Sequence, residues 1–334
     1  MTMKLFELRS FGDDGLTMTE RGDPSPCLGE VIVKMKSASI NFRDFMIAKG
    51  FYNPNLSLPL IPLSCGSGEV VAIGNDVVDL KVGDDVTSVF WQDWNNTQQT
   101  RLVSTGSDAA GVLTEYAVLP MSAVLPMPEH LSHAEASTLP CAAVTAWTCI
   151  QAASIKTGDT VLLQGTGGVS IFGLQIAKAL GANVIITSSS DDKLDRAKAL
   201  GADQTINYKD NPDWGHEAFK LSGSGVNVVI EIGGGGTFEQ SMFALCNGGH
   251  ISLIGALSGI KAELNLLQMV GKNINTHGIT VGTKEDHQAM NEFFIKHDIH
   301  PIIDQEMNFN QGAEAIMGIA SGNHMGKIVV NIDS

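Results

Sequence analysis

The segment of this sequence best suited to binding chemistry is a glycine-rich turn between a strand-like run and a helix-like run. Residues 161–182 read VLLQGTGGVSIFGLQIAKALGA, the strand–turn–helix context in which a G-x-G-x-x-G pattern predicts a nucleotide site. Gly165 permits a tight turn, Gly167 lets the backbone approach a diphosphate, and the helix presents free N–H groups. Ser170 replaces the third glycine without disturbing this cradle. The predicted phosphate-binding residues are Gly165, Thr166, Gly167, Gly168 and Val169, and the alternative is a turn that only packs strand against helix.

The preference for one nucleotide over another is read where the next apolar run, 183–187, ends. NAD sites usually carry an Asp or Glu there, which bonds the ribose 2′-hydroxyl. Residues 187–190 read TSSS instead, and Lys193 follows on the next helix. Hydroxyls and a lysine suit a 2′-phosphate, which a carboxylate would repel. Asp191 and Asp192 argue against this interpretation unless they are capping and first-turn charges of that helix. We predict NADP(H) rather than NAD(H), held by Ser188, Ser189, Ser190 and Lys193.

Composition and charge exclude several function classes. The chain has 36 acidic and 21 basic residues, a formal net charge of −15, which argues against nucleic-acid binding and against an anionic membrane surface. Its five cysteines are scattered without a C-x-x-C pair, as is typical of reduced thiols in the cytoplasm. No apolar signal-peptide core and no membrane-spanning run is present in the sequence. We therefore expect a cytoplasmic protein with no nucleic-acid or membrane partner.

Two kinds of hydrophobic pattern divide the chain into two domains. Residues 1–125 contain short runs with period-two alternation, such as EVIVKMKSASI, which predict an antiparallel, barrel-like domain. Across 126–282, apolar runs alternate with helical patterns, which predicts a parallel sheet covered on both faces. The tail, 283–334, is assigned to the first domain. The six apolar runs expected to form a doubly wound Rossmann sheet are 160–164, 183–187, 204–208, 226–232, 250–255 and 274–282.

Seven short motifs are more specific in their order and spacing than any one of them is alone. They are Asn41-Phe42-Arg43-Asp44, Gly66-Ser67-Gly68-Glu69-Val70-Val71, Val82-Gly83-Asp84-Asp85-Val86, Thr145-Ala146-Trp147, the glycine turn, Ile206-Asn207-Tyr208 and Gly326-Lys327-Ile328-Val329. With these motifs the whole chain resembles the medium-chain dehydrogenase/reductase superfamily, in its zinc-free branch similar to quinone oxidoreductases and zinc-type alcohol dehydrogenases. The resemblance implies a GroES-like β-barrel catalytic domain and an NADP(H)-dependent oxidoreductase.

The resemblance also implies roles for individual residues around the cofactor. Lys193 and Tyr208 match a lysine and a tyrosine that hold the 2′-phosphate in NADPH-dependent quinone reductases, although packing alone would equally explain a tyrosine at a strand end. Thr145 matches a position beside the nicotinamide. The other residues that the resemblance assigns to the cofactor cleft are Asn41, Arg43, Gly255, Val281, Gly282 and Lys327.

The positions where zinc members of this family bind catalytic metal hold other residues here. Asn41 stands in place of the first Cys ligand, Ser64 in place of the His and Cys65 in place of the neighbouring Glu. No cysteine lies between Cys65 and Cys141, so the four-cysteine lobe of a structural zinc is missing as well. Because zinc needs three or four converging ligands, we predict that the protein binds no metal.

The histidines show no spacing typical of metal ligands. His130 and His133, three residues apart near a predicted helix start, are interpreted as capping or surface residues. His297 and His300 flank a predicted loop and are interpreted as solvated side chains.

Without a metal to polarise a carbonyl, the predicted site suits substrates that delocalise the charge left by hydride addition. Quinones and activated α,β-unsaturated carbonyls do so, because they form a phenolate or enolate that water can protonate. Candidate hydrogen-bond donors to the substrate oxygen are Asn41, Arg43, Tyr52 and Ser64, none of which has the pKa expected of a general acid. Two alternatives stay open: an alcohol or aldehyde dehydrogenase without catalytic zinc, and a nucleotide-binding protein with little turnover.

The last apolar run of the predicted parallel sheet, 274–282, is expected at the edge of that sheet. Exposed sheet edges tend to be covered or paired. We therefore expect a homodimer in which this strand pairs with its copy across a two-fold axis.

Overall fold

The computed structural model describes residues 2–92, 94 and 103–333. The chain divides into two compact units, one formed by Met1–Val144 with Thr283–Ser334 and the other by Thr145–Gly282. No helix in the described ranges is long and apolar enough to cross a membrane.

The first unit is built mainly from antiparallel strands. Strands β1 and β2 form a hairpin, and a seven-stranded sheet has the order β14-β15-β3-β4-β5-β7, with β6 also paired to β3. Strands β14 and β15 are parallel, whereas the other pairings of this sheet are antiparallel. The bounds are β1 Thr2–Leu8, β2 Leu16–Gly22, β3 Glu30–Ser39, β4 Cys65–Ile73, β5 Asp85–Ser88, β6 Tyr116–Pro120, β7 Val124–Pro126, β14 Ile303–Asn308 and β15 Lys327–Asn331.

The long strand β3 anchors the core of the first unit. The alternation predicted for it is present, since Val31, Val33 and Met35 are all buried and join one apolar cluster with Val70 and Leu119. Ile32 is buried as well, so β3 is covered on more than one face. The helices of this unit are α1 Phe42–Ala48, α2 His133–Ala136, α9 Lys284–His297 and α10 Gly312–Gly318.

The boundary between the units falls after Val144 and not after residue 125 as the sequence analysis expects. Helix α2 belongs to the first unit because it is hydrogen-bonded to the seven-stranded sheet. Ser67 Oγ on β4 donates to the carbonyl of His133 at 2.6 Å, and Ser39 Oγ on β3 donates to the carbonyl of Ser137 at 2.9 Å. A helical pattern in the sequence does not reveal which sheet the helix packs on.

The second unit is a six-stranded parallel sheet with the order β10-β9-β8-β11-β12-β13. Counted from β8, this is the 3-2-1-4-5-6 order of a Rossmann fold, as the sequence predicts. The strands are β8 Thr160–Gln164, β9 Asn183–Ser188, β10 Gln204–Asn207, β11 Val226–Glu231, β12 Leu245–Leu253 and β13 Asn275–Gly278. The helices are α3 Val144–Ala152, α4 Gly168–Ala179, α5 Asp191–Ala199, α6 Trp214–Leu221, α7 Phe238–Ala244 and α8 Leu266–Lys272.

Two strands of this sheet differ from the predicted runs by more than one residue at an end. Strand β12 begins at Leu245, before the apolar run that starts at 250, and β13 ends at Gly278 rather than at 282. The chain leaves the sheet after β13 and reaches Val281, whose φ of 67° does not belong to a strand.

Candidate functional site

The glycine turn of the second unit has the geometry of a phosphate cradle. Gly165 has a φ of +68°, which favours glycine, and Gly167 precedes α4 in an extended conformation. A side-chain carbon built on Gly167 would meet no heavy atom within 4 Å, so the space in front of this residue is open among the described residues. The first N–H groups of α4 face outward from a glycine cap and suit a diphosphate.

The serine at the third glycine position of the pattern has a structural role of its own. Ser170 Oγ donates to the carbonyl of Gln164 at 2.6 Å, which ties α4 to the end of β8. The close approach between helix and strand occurs instead at Gly173, where an added side-chain carbon would lie 3.0 Å from Leu163. The substitution therefore leaves both the turn and the helix packing intact.

A buried carboxylate, which the sequence analysis did not identify, holds the neighbouring loop. Glu231 at the end of β11 accepts from the amides of Gly233 and Gly234 at 2.8 and 2.9 Å and from the Thr237 hydroxyl at 2.6 Å. Gln164, at the end of β8, donates to Glu231 at 2.6 Å. The carboxyl ends of these two adjacent strands are thus fixed to each other. The acidic residue at the end of the apolar run VNVVIE is the sequence feature from which a buried carboxylate at this strand end could be predicted.

The end of β9 brings together the residues predicted to hold a 2′-phosphate. Ser190 caps α5 and accepts from the amide of Lys193 at 3.5 Å, while Ser188 Oγ accepts from the amide of Ser190 at 3.2 Å. The amide of Tyr208, whose side chain is 41% exposed, donates to the carbonyl of Ser188 at 3.1 Å. Asp191 accepts from the Asn207 side chain at 2.8 Å, so this carboxylate is engaged within the protein.

The remaining cofactor candidates of the second unit lie at other strand and helix ends. Thr145 is buried in the first turn of α3, and Gly255, just after β12, is packed so closely that an added carbon would lie 2.3 Å from the carbonyl oxygen of Ile232. Val281 is a buried β-branched residue at positive φ, a conformation that stores strain and is often found at functional sites. Gly282 follows it and ends the unit.

In the first unit, five polar residues form a group that we call the Lys327 cluster. Asn41, Ser64, Cys65 and Lys327 are buried, and Cys141 is partly buried. The ammonium of Lys327, 3% exposed, donates to the Ile40 carbonyl at 2.5 Å and to Asn41 Oδ1 at 2.7 Å. Asn41 Nδ2 donates to Cys65 Sγ at 3.1 Å, and Ser64 Oγ lies 3.2 Å from the same sulfur.

The charges of this cluster favour a thiolate on Cys65. Burial raises the pKa of Cys65, but the hydrogen bond from Cys141, the charge of Lys327 and the hydrogen bond with Ser64 together bring it down to about 7. The pKa of Cys141 is raised by its hydrogen bond to Cys65 and by burial. Burial lowers the pKa of Lys327, whereas the two cysteines and Asp44 raise it. Cys65 is therefore the thiol that ionises first.

The pairing of Cys65 with Cys141 is a feature that the sequence analysis missed. Their distance along the chain carries no signal of contact, since neither lies in a C-x-x-C pattern. Lys327, which the resemblance assigns to the cofactor, is found bonded to Asn41, and its predicted cofactor contact stays a prediction.

Arg43 and Tyr52 lie beside each other in the first unit. The guanidinium of Arg43 donates to the Thr105 carbonyl at 3.1 Å and to Ser104 Oγ at 3.2 Å. It lies 4.4 Å from the ring centre of Phe90 and 5.1 Å from that of Tyr52, distances typical of cation–π contacts. Within the described residues, Arg43 Nε is buried and has no hydrogen-bond acceptor.

The helix cap next to Arg43 contains the buried carboxyl group of Asp44. Asp44 Oδ2 accepts from the amide of Asn41 at 2.8 Å, which begins α1. Burial, the largest influence, raises the pKa of Asp44, while Arg43 and the Asn41 amide lower it in part.

The fold is that of a mixed α/β protein with a Rossmann-like unit and a GroES-like unit. Family models described as "Alcohol dehydrogenase GroES-like domain" and "Zinc-binding dehydrogenase" match residues 28–129 and 168–296. A zinc-type alcohol dehydrogenase-like protein of Schizosaccharomyces pombe is 42% identical over 316 residues, covering 91% of each chain. The chain belongs to the medium-chain dehydrogenase/reductase superfamily and is an oxidoreductase of its alcohol dehydrogenase-like family.

Two solved structures bear on cofactor and substrate. An NAD-dependent alcohol dehydrogenase shares 32% identity with a TM-score of 0.93, covering 99% of this chain and all of that one. The quinone oxidoreductase from Coxiella burnetii shares 25% identity with a TM-score of 0.81, again covering 99% of this chain and all of that one. The structural relatives therefore include both an NAD-dependent alcohol dehydrogenase and a quinone oxidoreductase.

Proposed function

We propose that this chain is an NADP(H)-dependent oxidoreductase that reduces quinones or activated α,β-unsaturated carbonyls without catalytic zinc. The observation that carries the proposal is the buried ammonium of Lys327 within the Lys327 cluster. Its positive charge would repel a zinc ion at this place. The cofactor would supply the hydride, and the protein would orient the substrate and exclude water.

The residues of the Lys327 cluster do not fit a catalytic zinc ion. Zinc requires three or four nitrogen, sulfur or carboxylate ligands, and here Cys65 and Cys141 offer two. Among the described residues, no third His, Cys, Asp or Glu converges with them in a ligand group. The nearby charge of Lys327 would in addition repel a divalent cation.

The end of β9 supports the choice of NADP(H). A 2′-phosphate there would meet hydroxyls of the serine run and the ammonium of Lys193. Asp191, the carboxylate that would oppose the phosphate, is bonded to Asn207. The similarity to an NAD-dependent alcohol dehydrogenase favours NAD(H) instead. Comparison of the NADPH and NADH affinities distinguishes the two cofactors.

The contacts of the first unit narrow the set of donors for a substrate oxygen. Asn41 and Ser64 are both engaged with Cys65. The partly buried guanidinium of Arg43 and the half-exposed Tyr52 beside it are the better candidates. A fixed guanidinium can stabilise a phenolate or enolate by charge without giving up a proton.

Oxidation of an alcohol is a second candidate function, because the relative at 42% identity is alcohol dehydrogenase-like. Reduction of an unactivated aldehyde leaves a localised alkoxide. Stabilising that alkoxide takes a metal ion, or an acid stronger than those in the Lys327 cluster. We therefore place quinone or enone reduction first.

The test is NADPH oxidation with a panel of quinones, enones and aldehydes, together with spectroscopy of the protein loaded with Co²⁺. We expect turnover with a quinone or enone and no charge-transfer absorption from a thiolate bound to the metal. Turnover restricted to aldehydes or alcohols, or a metal ion ligated by Cys65 or Cys141, would refute the proposal. Tight NADPH binding without any turnover would favour the nucleotide-binding alternative.

We also propose a homodimer formed at the edge of the parallel sheet. All four residues of β13 are exposed, and β13 is the terminal strand of its sheet. Helix α8, which packs on neighbouring β12, carries three strongly exposed apolar side chains, Leu266, Leu267 and Val270. Exposed apolar side chains and an exposed edge strand are both features typical of a subunit interface.

All five cysteines lie in the described part of the chain, and none of them forms a disulfide. This chemistry suits a reducing compartment, and we propose a cytoplasmic location.

A further inference from the structure

Three metal-ligating side chains of the first unit converge at a place unrelated to the Lys327 cluster. His130, Asp298 and His300 each place one potential ligand atom within 4.8 Å of the other two. His130 lies in the turn before α2, whereas Asp298 caps the C-terminus of α9 and His300 lies two residues further on. Two chain segments that are remote in sequence therefore meet at this cluster.

The hydrogen bond of His130 determines which of its nitrogens carries a lone pair. Its Nε2 lies 3.2 Å from the carbonyl oxygen of Ile299. A carbonyl oxygen only accepts hydrogen bonds, so Nε2 carries the proton and Nδ1 is left with the lone pair. Within the described residues, Nδ1 is buried without a hydrogen-bond partner, which is costly unless a ligand occupies it.

His300 is oriented by a carboxylate in the same way as metal-binding histidines usually are. Its Nδ1 donates to Glu135 Oε1 at 2.8 Å, and its Nε2 lies 3.6 Å from Asp298 Oδ1. Glu135 is itself held, because its other oxygen accepts from the amide and hydroxyl of Ser132 at 2.8 and 2.7 Å. Such a second carboxylate fixes the ring and increases the basicity of the nitrogen that binds metal.

We propose that His130, Asp298 and His300 form a three-ligand Zn²⁺ site, with Glu135 as the supporting carboxylate. Two imidazoles and one carboxylate suit zinc, whereas Mg²⁺ and Ca²⁺ prefer oxygen ligands alone. The two rings are nearly perpendicular, at 82° with centroids 5.3 Å apart, so they do not stack against each other. Zinc bond lengths of about 2.0–2.1 Å imply tetrahedral ligand separations of roughly 3.3 Å, close to the 3.6 Å between His300 and Asp298.

Binding at this site would stabilise the first unit. The ion would cross-link the turn after β7 to the loop after α9, and an ion that binds only the folded chain raises the unfolding temperature. The inference does not rest on the proposed oxidoreductase function, since no residue of the Lys327 cluster takes part.

The experiment is calorimetric titration of the metal-stripped full chain with ZnCl₂, together with thermal unfolding with and without the ion. We expect one Zn²⁺ per chain and a higher unfolding temperature in its presence. His130→Ala and His300→Ala should each reduce affinity at least about tenfold, and Glu135→Gln should reduce it roughly 10–100-fold. Asp298→Asn removes the carboxylate ligand and should also reduce the affinity for Zn²⁺. Asparagine tolerates the left-handed backbone conformation of residue 298, so this variant adds no backbone strain.

His297→Ala is the matched control, because this exposed histidine lies on the same segment and contacts Phe293 instead. It should bind Zn²⁺ as the wild type does. The proposal is overturned if no Zn²⁺ binds, or if binding survives in His300→Ala. Thiolate charge-transfer bands with Co²⁺ would place the ion at the cysteines and contradict the proposed function, whereas failure to bind any ion contradicts only the present inference.

Discussion

The ammonium of Lys327 donates to Asn41 Oδ1 at 2.7 Å, and the other end of the same amide donates to Cys65 Sγ at 3.1 Å. The lysine comes from β15 near the end of the chain and the asparagine from the cap of α1. Their contact orients the amide, because only one of its two ends can accept a hydrogen bond. The side chain of Asn41 thereby links the ammonium of Lys327 to the sulfur of Cys65.

Removal of this cation should raise the pKa of Cys65. In the wild type that pKa is about 7, so Cys65 is increasingly a thiolate above neutral pH. Lys327→Met should shift its ionisation to higher pH and destabilise the fold by about 1–3 kcal/mol, because Asn41 Oδ1 loses its buried donor. The measurement is a pH titration of thiolate absorbance in a Cys27→Ser background, which removes the exposed thiol.

Lys34→Met is the control for this titration. Lys34 pairs with Asp333 on the surface and makes no contact with the cluster in the described part of the chain. An unchanged titration curve in Lys327→Met would show that the lysine does not set the ionisation of Cys65.

Nucleotide binding should be lost without loss of stability when the phosphate cradle is filled. Gly167→Ala introduces a methyl group into space where no heavy atom of the described residues lies within 4 Å. We expect NADPH affinity to fall at least about tenfold, or about 1.4 kcal/mol, at an unchanged unfolding temperature. Gly271→Ala is the control, since Gly271 on α8 is equally open. Equal NADPH affinity in both variants would argue against a diphosphate at this turn.

The choice between NADPH and NADH should depend on Lys193. A charge-assisted hydrogen bond to the 2′-phosphate contributes roughly 1.5–3 kcal/mol, so Lys193→Ala should weaken NADPH binding about tenfold or more and leave NADH binding unchanged. Lys198→Ala on the same helix, where the lysine pairs with Asp195, should change neither. Fluorescence titration of the wild type and both variants with NADPH and NADH measures the affinities, and an equal loss for both nucleotides in Lys193→Ala would count against a 2′-phosphate contact.

Acid sensitivity of the fold should depend in part on His287. Burial, aided by the charge of Lys284, lowers the pKa of His287 to about 3 in the folded chain, whereas an unfolded histidine titrates near 6.5. Between these values the unfolded state binds the extra proton, so this residue makes stability fall as pH falls from about 6.5. His287→Gln removes the titration and should reduce that pH slope by up to about 1.4 kcal/mol per pH unit.

Urea unfolding at pH 7 and pH 5 measures this slope in the wild type and in His287→Gln. His297→Gln is the control, because His297 is exposed at the end of the same helix. A slope that is the same in all three proteins would show that His287 does not contribute.

The proposed dimer should dissociate when a charge is placed on the apolar patch. Leu267 on α8 is 82% exposed, so Leu267→Glu costs little in an isolated chain but would bury an unpaired carboxylate in the interface. Sedimentation should give a dimer for the wild type and a monomer for this variant. A wild type that sediments as a monomer at micromolar concentration would contradict the dimer.

Much of the second unit follows from the sequence, because continuous Val/Ile runs and a glycine turn have few structural solutions. The strand at 160–164 and the six-stranded, doubly wound parallel sheet match the prediction. Strand ends were less well predicted: β13 ends at Gly278 because the chain turns toward the strained residue Val281. The helix at 133–136 lies in the first unit and not in the second as predicted. The residue pattern of a helix does not specify which sheet the helix packs on.

The sequence by itself determined the family, the Rossmann sheet and the position of the glycine turn, because these depend on local periodicity and on residue types within short segments. Only the tertiary structure decided that Cys65 meets Cys141 beside Lys327, that Glu231 holds the loop next to the turn, and that His130 approaches His300. Each of these contacts joins residues from different elements. Burial and hydrogen-bond geometry, rather than spacing along the chain, set their chemistry.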